Sequence, residues 1–274
     1  MSGQTPQVPP TSAMAPFLLW MNLLEVLVAA LFYGVYIILF ARAVQILLQR
    51  IQQLERQGIL LGAMTVLFIL STSQLFVLTL KAAVVVGEAR MALNAVETAS
   101  LLIYVTSCIC SDLLLIYRCY VIWNDNRAVV VVPVCLLITS SVFGYMCNTR
   151  IFQIISLATV VFVTFLTVSK VVWAAYERRG LLTGPLRKTY ISAGSAILES
   201  GFIYALFVSI HFTASSRGAP AAAVIFGAVG QIVGIAPTLI IVRSGLPPAP
   251  PSYVKTSGML SSPVISVSPG SSKV

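Results

Sequence analysis

The chain has 274 residues, of which 58% are hydrophobic and only 9% charged, and its mean hydropathy is +0.95. A soluble domain carries about a quarter charged residues, so the composition excludes a water-soluble enzyme or binding module. The formal charge of +9 does not indicate nucleic acid, because the basic residues form no patch with interleaved aromatics and fall in loops and helix ends.

Residues 1–16 are rich in Pro, Ser, Thr and Gln and carry no charge, which predicts a disordered tail. Seven apolar stretches follow, at 17–40, 59–80, 99–122, 128–147, 152–175, 190–212 and 221–243. About 20 mostly apolar residues suffice to span the hydrocarbon of a bilayer as a helix. The first stretch is too long for a signal-peptide core and lacks a basic leader, so it reads as a retained helix, with Glu25 in its outer half. Beyond it, Val44, Leu47, Leu48, Ile51 and Leu54 recur at helical spacing with Arg50 and Arg56 between them. That pattern predicts an amphipathic extension lying in the interface and ending near Gly58.

The third stretch contains Cys108, Cys110, Asp112, Arg118 and Cys119 and closes on Tyr117-Arg118-Cys119-Tyr120-Val121-Ile122-Trp123. Arg118 there either snorkels beside Tyr120 and Trp123 or pairs with a carboxylate on a neighbouring helix. Lys170, near the end of the fifth stretch, has the same two readings. The five cysteines offer no outer-loop pair for a disulfide and read as small hydrophobes. In the sixth stretch Gly194, Ser195, Ser200 and Gly201 mark a close-packing face around Glu199. The single histidine, His211, reads as interfacial, because no second histidine exists to complete a zinc site. The seventh stretch carries Gln231, the small residues Gly227, Gly230 and Gly234, and Pro237, which predicts a hinge at Gly234–Pro237. Residues 244–274, with nine Ser and six Pro, predict a second disordered tail.

Alternate loops differ in charge. Arg42, Arg50, Arg56, Arg127, Arg178, Arg179, Arg187, Lys188, Arg243 and Lys255 fall on one side, against Lys81, Arg90, Arg150 and Arg217 on the other. Lys and Arg concentrate in cytoplasmic loops, so the N-terminus is expected outside and the C-terminus inside. Arg118, Lys170, Arg178, Arg179, Arg187 and Lys188 then belong to the cytoplasmic face. A charge in hydrocarbon costs at least ~2.5 kcal/mol, which singles out polar groups within the stretches. Counted at ~1.5 Å per residue from the inner ends, Asp112, Glu199 and Gln231 fall at depths of about 15, 14 and 18 Å, a shared mid-membrane layer. That layer is either a site for a polar ligand, cation or proton and a two-state switch, or a purely structural clamp between helices.

The run from Asp112 to Trp123, Glu199-Ser200-Gly201, and Gly234-Ile235-Ala236-Pro237-Thr238-Leu239-Ile240-Ile241-Val242-Arg243 together resemble a large set of seven-helix membrane proteins of mushroom-forming (basidiomycete) fungi, over roughly residues 17–245. The resemblance implies a fungal integral membrane protein and assigns no activity. More loosely, seven helices with the N-terminus outside are similar to G-protein-coupled receptors, a likeness of fold alone.

The expectation is an all-α, seven-transmembrane-helix bundle in a plasma membrane or endomembrane, receptor-like or sensory, with the Asp112–Glu199–Gln231 layer as its switch. Its partners are the lipid bilayer and a cytoplasmic signalling protein such as a G protein, with no nucleic acid, no metal, no cofactor and no enzymatic activity. A small-solute or proton-coupled transporter using the same layer is the alternative, and a scaffold without a ligand is the third. A retinal Schiff base is disfavoured by the absence of Lys from the seventh stretch, and no Walker, dinucleotide or Gly-x-Ser-x-Gly motif occurs.

Overall fold

In hydrocarbon a chain segment can satisfy its own N–H and C=O groups only along itself, and each apolar stretch accordingly forms one helix. The computed structural model describes residues 11–51, 56–86, 90–123, 127–146, 148–177 and 184–245. Those residues form seven helices and no strand: α1 (Thr11–Ile51), α2 (Arg56–Val86), α3 (Arg90–Ile122), α4 (Arg127–Tyr145), α5 (Thr149–Glu177), α6 (Gly184–Ser216) and α7 (Ala221–Gly245). All seven are long and apolar enough to cross a bilayer, so the architecture is that of a multi-pass integral membrane protein.

The helices overrun the apolar stretches that announced them. α1 begins at Thr11, inside the segment expected to be a tail, and continues unbroken through the amphipathic Val44–Ile51 run. Gly58 does not end that extension but sits in the first turn of α2. α6 begins at Gly184, six residues before the apolar stretch at 190. The remainder of the tails, residues 1–10 and 246–274, lies outside the described residues. Besides Pro237 in α7, Pro133 lies within α4.

Short connectors make consecutive helices antiparallel. One face of the bundle therefore holds the starts of α1, α3, α5 and α7 (the N-terminal face), and the other holds their ends (the C-terminal face). One turn is fully built from local bonds: Gly218 N–H donates to Ser215 O and Ala219 N–H to Ala214 O, with Gly218 at φ 63°. This doubly bonded cap ends α6 and needs a left-handed residue, a conformation glycine adopts without steric cost.

Neighbours in sequence are neighbours in space, and α1 packs on α7 to close the ring. α3 also touches α5 and α7, and α7 also touches α2. The two central helices are thus α7, with 72% of its apolar window buried, and α3 with 50%, against 17% for α1. The main core joins α3, α5, α6 and α7 through Tyr104, Val105, Phe152, Tyr204, Val229 and Val233. A second cluster of Ala43, Leu47, Met64, Leu67 and Ile241 holds α1, α2 and α7 at the C-terminal face. Lipid is as apolar as leucine, so membrane helices associate by close packing rather than by hydrophobic burial. α7 achieves this with glycine. A methyl group on Gly227 would stand 2.6 Å from the Glu25 carbonyl oxygen, and one on Gly234 would stand 2.8 Å from the Tyr36 ring.

Candidate functional site

Hydroxyl groups in the helices divide by partner. Many donate to the carbonyl four residues back in their own helix, as Thr65 does to Leu61 and Thr167 to Val163, and are thereby satisfied locally. A smaller set reaches across helix boundaries and forms a polar seam through the bundle.

Near the N-terminal face, Lys81 of α2 donates to Glu25 of α1 at 2.8 Å, with the two side chains 14% and 1% exposed. Deeper, Gln74 of α2 donates to Ser100 of α3 at 3.0 Å. Ser71 of α2 donates to the side-chain oxygen of Gln231 in α7, whose amide donates back to the Ser71 carbonyl at 3.3 Å. Between α5 and α6, Gln153 Nε2 meets His211 Nδ1 at 2.7 Å, and the imidazole tilts against Phe226 of α7. Tyr204 of α6 donates to Cys108 Sγ of α3 at 3.8 Å.

The centre of the seam is the pair Ser111–Asp112 on α3. Asp112 is buried; its Oδ2 accepts from Ser156 of α5 at 3.2 Å, and its Oδ1 has no partner among the described residues. Ser111 donates to the carbonyl of Val233 in α7 at 3.1 Å. That carbonyl is the one that residue 237 would bond in an uninterrupted helix, and Pro237 has no N–H to offer it. The hydroxyl of Ser111 therefore replaces the backbone bond that the proline removes. One turn position on, Thr238 Oγ1 donates to the Gly234 carbonyl at 2.7 Å. α7 thus runs unbroken through Pro237, with the missing donor supplied by a side chain of the neighbouring central helix, next in sequence to the buried carboxyl. Beside Ser111 lies a cavity of about 10 Å³, room for about one water, lined by Thr164, Ser200, Gly201, Tyr204 and Ala236.

The expected three-residue layer is only partly assembled. Asp112 and Gln231 are buried in the bundle, Gln231 fully so, but they bond to different partners. Glu199 does not join them. It forms a two-pronged ion pair with Arg243 at the end of α7, the two side chains being 49% and 39% exposed. The depth count gave its level along α6 but not its facing, and the side chain turns to the end of α7 and not into the bundle. Glu25 lies in the half of α1 that the sequence assigned to it and is fully buried.

Among the basic residues, Arg118 is half-buried on α3 with no carboxylate partner among the described residues. Lys170 lies over the rings of Trp123 and Trp173. Arg187 and Lys188 fall at the start of α6, and Arg178 and Arg179 lie outside the described residues. His211, five residues before the end of α6, is buried against Gln153 and Phe226. Of the cysteines, Cys108 and Cys119 are buried, Cys110 is intermediate and Cys135 faces outward, while Cys147 lies outside the described residues.

Sequence reasoning passed over Ser71, Gln74, Ser100, Ser111, Gln153 and Ser156, and treated Lys81 as a loop charge. Only Lys81 had a readable signal, because a lysine inside the long α2 needs a counter-charge. Among the described residues no group of three His, Cys, Asp or Glu side chains could hold a metal ion. No protein-family model matches the chain, and neither a curated protein nor a solved structure shows significant similarity to it.

Proposed function

We propose that the chain is a receptor-like membrane sensor in which α3 and α7 are the moving pair and Ser111–Asp112 is the latch. The observation that carries this reading is the replacement of the Pro237-deleted backbone bond by Ser111, beside a buried carboxyl with one oxygen unpaired. A network that is only partly satisfied has competing arrangements of similar energy, which is what a two-state element requires. A small rotation of α3 withdraws Ser111, frees the Val233 carbonyl and lets the last turns of α7 swing at Gly234–Pro237. That swing moves Arg243 against Glu199 and so couples the centre of the bundle to its C-terminal face. With the N-terminus outside, as the loop charges indicate, this face is cytoplasmic and offers Arg118, Arg187 and Lys188 to a signalling partner such as a G protein.

The test is co-purification of Gα subunits with the full-length chain from membranes, with and without a non-hydrolysable GTP analogue. The reading expects association that the analogue disrupts, and an altered extent of association in Ser111→Ala and Asp112→Ala at equal membrane levels. Variants that insert normally and associate as wild type does would sink it.

A proton-coupled carrier is the second reading, favoured by the same unpaired Asp112 oxygen, which offers a proton site at mid-membrane. It expects pH-dependent solute uptake into proteoliposomes that Asp112→Asn abolishes. Uptake indifferent to both pH and that substitution rules it out.

A further inference from the structure

Lys170 is not held as an ordinary interfacial lysine is. Its ammonium lies 5.0 Å from the centroid of the Trp123 ring and 4.1 Å from that of Trp173. Trp173 stands one turn further along α5, and Trp123 comes from the end of α3. The Trp123 indole is itself fixed, since its N–H donates to the Leu166 carbonyl of α5 at 3.3 Å. The cage is therefore built from two elements and one ring is locked before anything binds.

Its position sets the environment. In the sequence the apolar stretch of α5 closes at about residue 175, ahead of Arg178 and Arg179, and that of α3 at Ile122, so both indoles lie near the edge of the hydrocarbon on the C-terminal face. Tryptophan prefers this level, where its ring meets the headgroups. Lys170 lies five residues inside that edge, about 7.5 Å deeper at the helical rise. Lys170 itself is partly buried, and Trp173, one turn further along the same side of α5, is more than half exposed. Two ring faces stabilise an ammonium but carry no net charge to neutralise it. No carboxylate among the described side chains pairs with Lys170. A cation at the edge of hydrocarbon without a protein counter-charge draws one from the adjoining leaflet.

We propose that Lys170, clamped between Trp123 and Trp173, binds the phosphate of an anionic phospholipid headgroup in the leaflet at the C-terminal face. The ring faces restrain the ammonium, and its remaining N–H bonds point to a phosphodiester at headgroup level. A lipid with a net negative headgroup is preferred over a zwitterionic one, because choline or ethanolamine brings a cation that competes with Lys170 for the same phosphate. One basic residue near an anionic surface carries about 1 kcal/mol, which sets a preference of about fivefold. The site is independent of the latch at Ser111–Asp112, and neither proposal stands or falls with the other.

Tryptophan emission reads the site directly. Trp20, in the N-terminal-face half of α1, is removed as Trp20→Phe, leaving Trp123 and Trp173 as reporters. The full chain is reconstituted in vesicles containing brominated phosphatidylserine or brominated phosphatidylcholine at equal mole fraction. The anionic quencher is expected to act as though enriched about fivefold next to the reporters. Lys170→Gln removes the preference and Lys170→Arg retains it, which separates loss of charge from loss of fold. Equal quenching by both lipids, or a preference that survives Lys170→Gln, overturns the proposal. Inorganic phosphate added to the vesicles is expected to leave the preference unchanged; displacement by it would assign the site to a soluble anion instead of a lipid.

Discussion

A polar residue inside a membrane helix is easy to find in a sequence, but its role depends on what it meets. Glu25 and Glu199 are both carboxylates well inside their helices, yet one is sealed against Lys81 and the other sits half-exposed against Arg243. Their energetics should differ accordingly. Lys81→Met leaves Glu25 buried with no counter-charge and is expected to cost about 3–5 kcal/mol, read as a lower unfolding midpoint in mild detergent. Glu25→Gln combined with Lys81→Met removes both charges and should recover most of that loss. Glu199→Gln breaks a surface pair and should cost no more than about 1 kcal/mol. Equal losses from Lys81→Met and Glu199→Gln would show that burial does not distinguish the two pairs. The serines were illegible for a related reason. Ser73 bonds back to Ile69 in its own helix, whereas Ser71, two residues earlier, crosses to Gln231, and nothing in the residue type separates them.

The helices themselves were legible because a bilayer demands long apolar runs, and every one of the seven stretches lies on its own helix. Their ends were not. Polar turns beyond the hydrocarbon carry no hydropathy signal, which is why α6 starts at Gly184, before the apolar stretch at 190, and α1 runs back to Thr11. Pro237 was legible in the sequence as a missing backbone donor in α7, but the hydroxyl that takes its place came from another helix. A double-mutant cycle tests that bridge. Ser111→Ala should cost about 1 kcal/mol in the native chain. In a Pro237→Ala background the cost should fall to near zero, because the new N–H takes over the Val233 carbonyl. An equal cost in both backgrounds would mean that Ser111 does not replace the missing bond. At the α6–α7 turn, Gly218→Ala forces a side chain into the left-handed region and should lower stability by about 1 kcal/mol in the same assay.

At the scale of the whole molecule, α7 is the last helix in sequence and the most buried in space. It contacts α1, α2, α3 and α6, so the bundle is expected to be incomplete until it arrives. Co-expressed fragments 1–182 and 183–274 should therefore reassociate and co-purify, whereas a chain ending at residue 218 should be rapidly degraded in membranes. A stable, protease-resistant six-helix product would contradict this. By itself the sequence determined the class of the molecule and the approximate position of every span, because the cost of placing polar backbone and charge in hydrocarbon acts on each segment separately. It also located Asp112, Gln231 and Pro237 within those spans. Only the tertiary structure decided that α7 is central, that Glu199 leaves the polar core for Arg243, that Lys170 lies between two indoles and that Ser111 closes the break at Pro237. These depend on which faces of different helices meet, and close packing among helices in lipid is set by the shape of the whole interface, not by any segment read alone.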